Sequence, residues 1–188
     1  MTLFIVGVIL WAVVHLMPST FRSLRTQLIA KVGEMPYKGM FASMIILSLV
    51  LIVMGWRSTE PNALYIPPTW AGAVTTLLMV NAFVLFVVAQ HPSRIKRLIR
   101  HPQLTGVALW SVAHLISNGE TRSLVLFGGL GLWALLEMRM INAREGAWIK
   151  PEAPSLAIEA RGLVIGVVVF VVAVLLHPYF AGVSPILT

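Results

Sequence analysis

Five histidines are the side chains in this sequence best equipped for chemistry. Cysteine and aspartate are both absent. That excludes a disulfide framework, thiolate metal ligation and a cysteine nucleophile. Neutral imidazole is the commonest metal ligand, so the histidines are the candidates for holding iron or haem. His15 and His114 each interrupt an otherwise apolar run, where polar groups are costly and often functional. The other three each precede a proline. His91-Pro92 and His177-Pro178 read as helix ends, and His101-Pro102 reads as a helix start. Two further polar residues fall in apolar surroundings. Asn81 is expected to bond between helices, and Glu137 to pair with Arg139 or Arg144 or to stay protonated.

Spacing sorts these candidates. His101 and His114 are 13 residues apart on one segment. At about 1.5 Å per residue they stand roughly 20 Å apart and cannot share an iron. Gly106, Trp110 and His114 recur every fourth residue, so one helix face presents a small residue, an indole and an imidazole. A flat apolar ligand fits against such a face. No nucleotide-binding loop, Ser-His-Asp signal or zinc spacing is present.

The elements that position these residues are membrane spans. The chain has 188 residues, 58% hydrophobic and 11% charged. A soluble domain carries about 25% charged residues. Six segments are nearly free of charge: Thr2–Met17, Gly39–Trp56, Trp70–Ala89, Leu104–Ser117, Leu124–Met140 and Leu163–Phe180. A spanning helix needs about 20 mainly apolar residues. The fourth segment is short and spans only if it begins at His101. The expected fold is all-α: a polytopic helical bundle of about six spans, residues 1–188 forming one domain. The first run lacks a basic flank and a cleavage site, so it reads as a retained helix and not a signal peptide. No internal repeat stands out.

The charge is arranged as the topology requires. Net charge is +7, but the basic residues cluster between apolar runs, which argues against nucleic acid as a partner. Twelve of the 14 basic residues fall in alternate loops: Arg22 to Lys38, Arg94 to Arg100, and Arg139 to Arg161. Arg57 and Arg122 alone lie in the other loops. The positive-inside rule places the twelve in the cytoplasm and both termini on the other side. Arg22 to Val32 fits a helix on the cytoplasmic interface. Asn62 to Pro68 reads as a non-helical external link between Trp56 and Trp70, and Arg144 to Glu159 as a cytoplasmic loop. On this layout His101 lies at the cytoplasmic face, His114 and His177 lie in the outer half, and His15 lies at mid-depth or in the inner half.

The string Arg100-His101-Pro102-Gln103-Leu104-Thr105-Gly106, with Trp110, Ala113-His114-Leu115 and Asn118-Gly119, resembles the NnrU family of bacterial membrane proteins. His15-Leu16 ahead of Ser19, Phe21 and Arg22 fits the same family, and the resemblance covers almost the whole chain. It implies a multi-pass protein of the bacterial inner membrane linked to denitrification and nitrogen-oxide metabolism. A related plant enzyme, 15-cis-ζ-carotene isomerase, binds haem b. The resemblance therefore implies haem b held by His15 and His114, with His177 as the alternative partner of His114. Gly106, Trp110 and Ser111 would line the haem, Asn81 and Met17 would tune the pocket, and Arg22, Arg25 or Arg100 would meet the propionates. Ser111 stands where that enzyme has a cysteine, so a ligand switch through that position is not expected. The activity implied is redox or isomerase-type, on an apolar small molecule. Arg-His-Pro-x-x-x-Gly also resembles integral-membrane methyltransferases, in which His101 would help hold S-adenosylmethionine. The acidic, tyrosine-containing tail of those enzymes is missing here. A third expectation is an assembly factor bound to a respiratory or nitrogen-oxide reductase complex.

Overall fold

The computed structural model describes residues 1–185. Their helices are α1 (Thr2–Thr20), α2 (Arg22–Val32), α3 (Glu34–Ser58), α4 (Ala71–Gln90), α5 (Pro102–Ser117), α6 (Thr121–Glu145) and α7 (Leu156–Ala181). Among the described residues no strand forms, and one isolated bridge pairs Ala63 with Glu120. Five helices, α1, α3, α4, α6 and α7, are long and apolar enough to cross a membrane. The sixth apolar segment is α5, 16 residues beginning with Pro102 at its first turn.

Hydrogen bonds at the two ends fix how the helices run. At one end Leu64 N–H donates to Gly119 O at 2.7 Å, and Thr121 N–H donates to Asn62 O at 2.9 Å. These tie the α3–α4 link to the α5–α6 turn. At the other end Arg94 N–H donates to Glu159 Oε2 at 2.6 Å, and Arg100 Nη1 donates to Gly146 O at 2.8 Å. The helices α1, α3, α4, α5, α6 and α7 therefore alternate in direction. The twelve clustered cations share the second end.

In space the order is α3, α1, α6, α5, α4, α7, each packed on the next. Small residues let these neighbours approach, as membrane helix pairs require. At Gly55 an added Cβ would lie 2.5 Å from Phe4 Cα, and at Gly166 it would lie 2.7 Å from Val84 Cα. Phe4, Val8 and Ile52 form a buried cluster with Trp11 and Trp56 against it. Many other large apolar side chains, such as Ile46 and Val164, are exposed. In a lipid-solvated protein that surface needs no protein cover.

The structure departs from the sequence reading in four places. Helices α3 and α7 begin at Glu34 and Leu156, earlier than hydropathy marks them, because charged first turns extend beyond the apolar stretch. The loop between α6 and α7 is accordingly shorter than Arg144 to Glu159. His177-Pro178 lies inside α7, which continues to Ala181 and ends at Gly182 with φ 75°. Asn81 is exposed and donates to Leu77 O of its own helix at 2.8 Å, so it is not an interhelical bond. The extended 59–70 link, the α2 helix and the helix end before His91-Pro92 follow the sequence reading.

Candidate functional site: an aromatic and histidine-lined cavity

A cavity of about 700 Å³ opens at the basic end, between α1 and α5 and in front of α6. Trp11 and His15 of α1 and Trp133 and Glu137 of α6 line its deep part. Lys96, Arg100 and His101 line its rim.

Helix geometry sets the deep wall. Trp11 and His15 are one turn apart, and their rings lie 4.2 Å from centroid to centroid. Trp133 meets the His15 ring edge-on at 5.0 Å and the Trp11 ring at 5.9 Å. Phe41 of α3 closes the other side of His15 at 5.8 Å. His15 Nδ1 lies 2.9 Å from Trp11 O. A carbonyl only accepts, so Nδ1 carries the hydrogen and a neutral ring keeps its lone pair on Nε2. Backbone bonding of this kind orients metal-binding histidines.

The deep wall is polar and unsatisfied. Trp11 Nε1, Trp133 Nε1 and Glu137 Oε2 are buried with no hydrogen-bond partner. Ser19 Oγ donates to Glu137 Oε1, and Arg144 Nη1 reaches Ser19 Oγ at 3.4 Å. Glu137 thus meets Arg144 through a serine and does not pair directly with Arg139 or Arg144. Two indole donors and one carboxyl oxygen are thus buried without partners behind one wall. Buried polar groups are normally bonded, and these three atoms are exceptions beside the cavity.

At the rim, Arg100 donates to Gly146 O and lies 3.5 Å from Glu145. His101 Nε2 lies 2.9 Å from Asn142 Oδ1.

The other expected site residues fall elsewhere. His114 rests in the opposite half, stacked on Phe127 at 4.4 Å and near Trp110 at 5.1 Å, with Nδ1 on Trp110 O at 2.9 Å. It lies seven residues past Val107, which lines the cavity. That is about 10 Å farther along α5. His15 and His114 therefore occupy different levels, each against a different aromatic residue of α6. His177 Nδ1 lies 2.7 Å from Val183 O near the end of α7. Gly106 faces Phe86 and Ala82 of α4, and Ser111 faces Gly131 of α6. Arg22 is exposed at the start of α2. Among the described residues no group of three or more His, Cys, Asp or Glu converges on a metal position.

One pattern was missed in the sequence. Gly7-x3-Trp11-x3-His15 has the same spacing as Gly106-x3-Trp110-x3-His114. In both, the glycine packs on a neighbouring helix and the histidine bonds the tryptophan carbonyl. In both, the imidazole meets an aromatic ring of α6. The two units run in opposite directions and present equivalent histidines to the two halves of the bundle. The signal was visible once both Trp-x3-His pairs were aligned. Trp133, four residues before Glu137, gave a similar clue for α6.

Fold and site together define a polytopic helical membrane protein with a histidine- and tryptophan-lined cavity at its basic end. The chain matches the family model described as NnrU protein over residues 3–185, and it belongs to that family. No curated protein and no solved structure matches it.

Proposed function

We propose that this protein crosses the bacterial inner membrane six times, with both termini outside the cytoplasm. We further propose that it binds haem b in the cavity at its cytoplasmic end, for redox chemistry linked to nitrogen-oxide metabolism. The observation that carries the haem reading is the His15 ring. Its Nδ1 is fixed on a carbonyl and it lines a cavity of about 700 Å³ among indoles. Ligand sites commonly occupy about 300–1,000 Å³. The residues present fit the group. Porphyrin supplies four iron donors, so one or two protein side chains suffice. His15 would hold the iron, Trp11 and Trp133 would flank the ring, and Arg100 and Lys96 would pair with propionates. Haem, when bound, would supply one-electron redox chemistry and an open or exchangeable iron position. His114, on another level, is a second ligand only for an occupant extending past the cavity.

Absorption spectra of protein purified after haem-supplemented expression test this reading. A Soret band is expected for the wild type, lost in His15→Ala and retained in His114→Ala. A colourless wild-type protein would overturn the reading, and a Soret band unmoved by His15→Ala would overturn the ligand assignment.

A second reading draws on the rim. Arg100, His101, Pro102 and Gln103 all line the same cavity. This supports S-adenosylmethionine binding of the membrane-methyltransferase type. It requires calorimetric binding of S-adenosylmethionine that His101→Ala removes and His15→Ala leaves in place.

A further inference from the structure

Beside the cavity mouth lies a second hollow of about 500 Å³, and it has a different character. Arg100, Arg144, Glu145, Trp148 and Ile149 line it. Arg100 and Arg144 are mostly covered, with side chains 17% and 25% exposed. The one carboxylate between them is Glu145, 2.8 Å from Arg144 and 3.5 Å from Arg100. Two guanidinium cations therefore face one carboxylate. Each guanidinium carries five N–H donors. Arg100 directs donors to Gly146 O and Glu145, and Arg144 to Ser19 and Glu145. Donors on both remain for an anion.

Two neighbours say what kind of anion. Ile149 lines the same hollow yet is 90% exposed. An aliphatic side chain fully open beside a cationic pocket suits an acyl chain better than water. Trp148, on the wall shared with the deep cavity, is the residue type that sits at headgroup level. Basic pockets between spanning helices on the cytoplasmic side are where anionic headgroups bind.

We infer that this hollow is a binding site for an anionic phospholipid of the cytoplasmic leaflet. The phosphate sits between Arg100 and Arg144, and an acyl chain runs over Ile149. The cytoplasmic placement rests on the proposed topology; the site shares Arg100 with the deep cavity, and Arg144, which does not line that cavity, tells the two apart.

Native mass spectrometry of the full chain in mild detergent tests it, with phosphatidylglycerol, phosphatidylcholine and inorganic phosphate as separate probes. Phosphatidylglycerol is expected to be retained in preference to phosphatidylcholine, and millimolar phosphate is expected not to displace it. Each cation near a headgroup contributes about 1 kcal/mol. Arg144→Gln should therefore weaken retention about fivefold, and the double change with Arg100→Gln about thirtyfold. Arg144→Lys keeps the charge and should restore most of the retention, which separates lost binding from lost folding. Equal retention by Arg144→Gln overturns the site. Displacement by inorganic phosphate overturns the lipid as its occupant and leaves a soluble-oxyanion site. Phosphatidylglycerol retention by His15→Ala is expected to match the wild type, so a failure of the haem reading would be seen separately.

Discussion

Glu137 shows how much one side chain can demand of its surroundings. It is 7% exposed, sits within a spanning helix, and keeps one carboxyl oxygen unpaired at the cavity. Its other oxygen relies on Ser19 Oγ, from a helix 118 residues away in sequence. Removing a buried partner costs about 1–3 kcal/mol, because the remaining group stays desolvated. Ser19→Ala should therefore lower the melting temperature in detergent by about 2–4 °C per kcal/mol lost. Glu137→Gln keeps an acceptor for Ser19 and should change it little. Equal melting curves for Ser19→Ala and wild type would refute the pairing. The sequence marked Glu137 as costly and left it paired or protonated; of these, direct pairing fails, since Arg139 and Arg144 are near in sequence while Ser19 is near only in space. It singled out His15 and His114 as polar breaks in apolar runs. It could not rank them, because the ranking depends on which side of α6 each occupies and at what level.

Small residues decide the packing of the elements. Gly55 of α3 meets the Phe4 backbone so closely that a Cβ would fall 2.5 Å from Cα and 2.6 Å from N. Backbone on both sides cannot rotate away. Gly55→Ala should destabilise the protein by about 1–3 kcal/mol, the usual cost of overpacking. Gly39, in the same helix, has nothing within 4 Å of an added Cβ. Gly39→Ala should instead stabilise by about 0.5–1 kcal/mol, through lower backbone entropy. Thermal unfolding of the two variants side by side checks the contrast, and two losses of similar size would count against the α1–α3 contact. Hydropathy located all six apolar segments, and the helical spacing of Leu24, Leu28 and Val32 located α2. It missed the helix ends of α3 and α7, because a helix can continue into charged residues after it leaves the lipid. It also missed the widened turn at Leu124–Gly128 in α6, a π-helical step that carries Phe127 against His114. Such a step alters backbone bonding without altering residue type, so composition leaves no trace of it.

Across the whole molecule, the charge pattern and the hydrogen-bonded ends give the same alternation independently. Loops rich in Arg and Lys are joined to each other by Arg94–Glu159 and Arg100–Gly146. The helix ends carrying only Arg57 and Arg122 are joined by Leu64–Gly119 and Asn62–Thr121. The alternation was legible in sequence because the positive-inside bias acts on loops, whose residues are read without any packing. The spatial order of the helices was not, because lipid-exposed and buried faces have the same apolar composition. The proposed topology then has a direct consequence. The chain has no cysteine, so one introduced thiol reports a single position without background. In intact cells a membrane-impermeant maleimide should label Asn62→Cys in the α3–α4 link. It should leave Thr26→Cys and Glu152→Cys unlabelled until the membrane is permeabilised. Labelling of Glu152→Cys in intact cells would invert the bundle. It would also move the cavity rim, with Lys96, Arg100 and His101, to the opposite face of the membrane. Asn62 and Glu152 labelling alike only after permeabilisation would mean that α5 or another helix fails to cross. That result would break the six-span reading while leaving the cavity geometry intact.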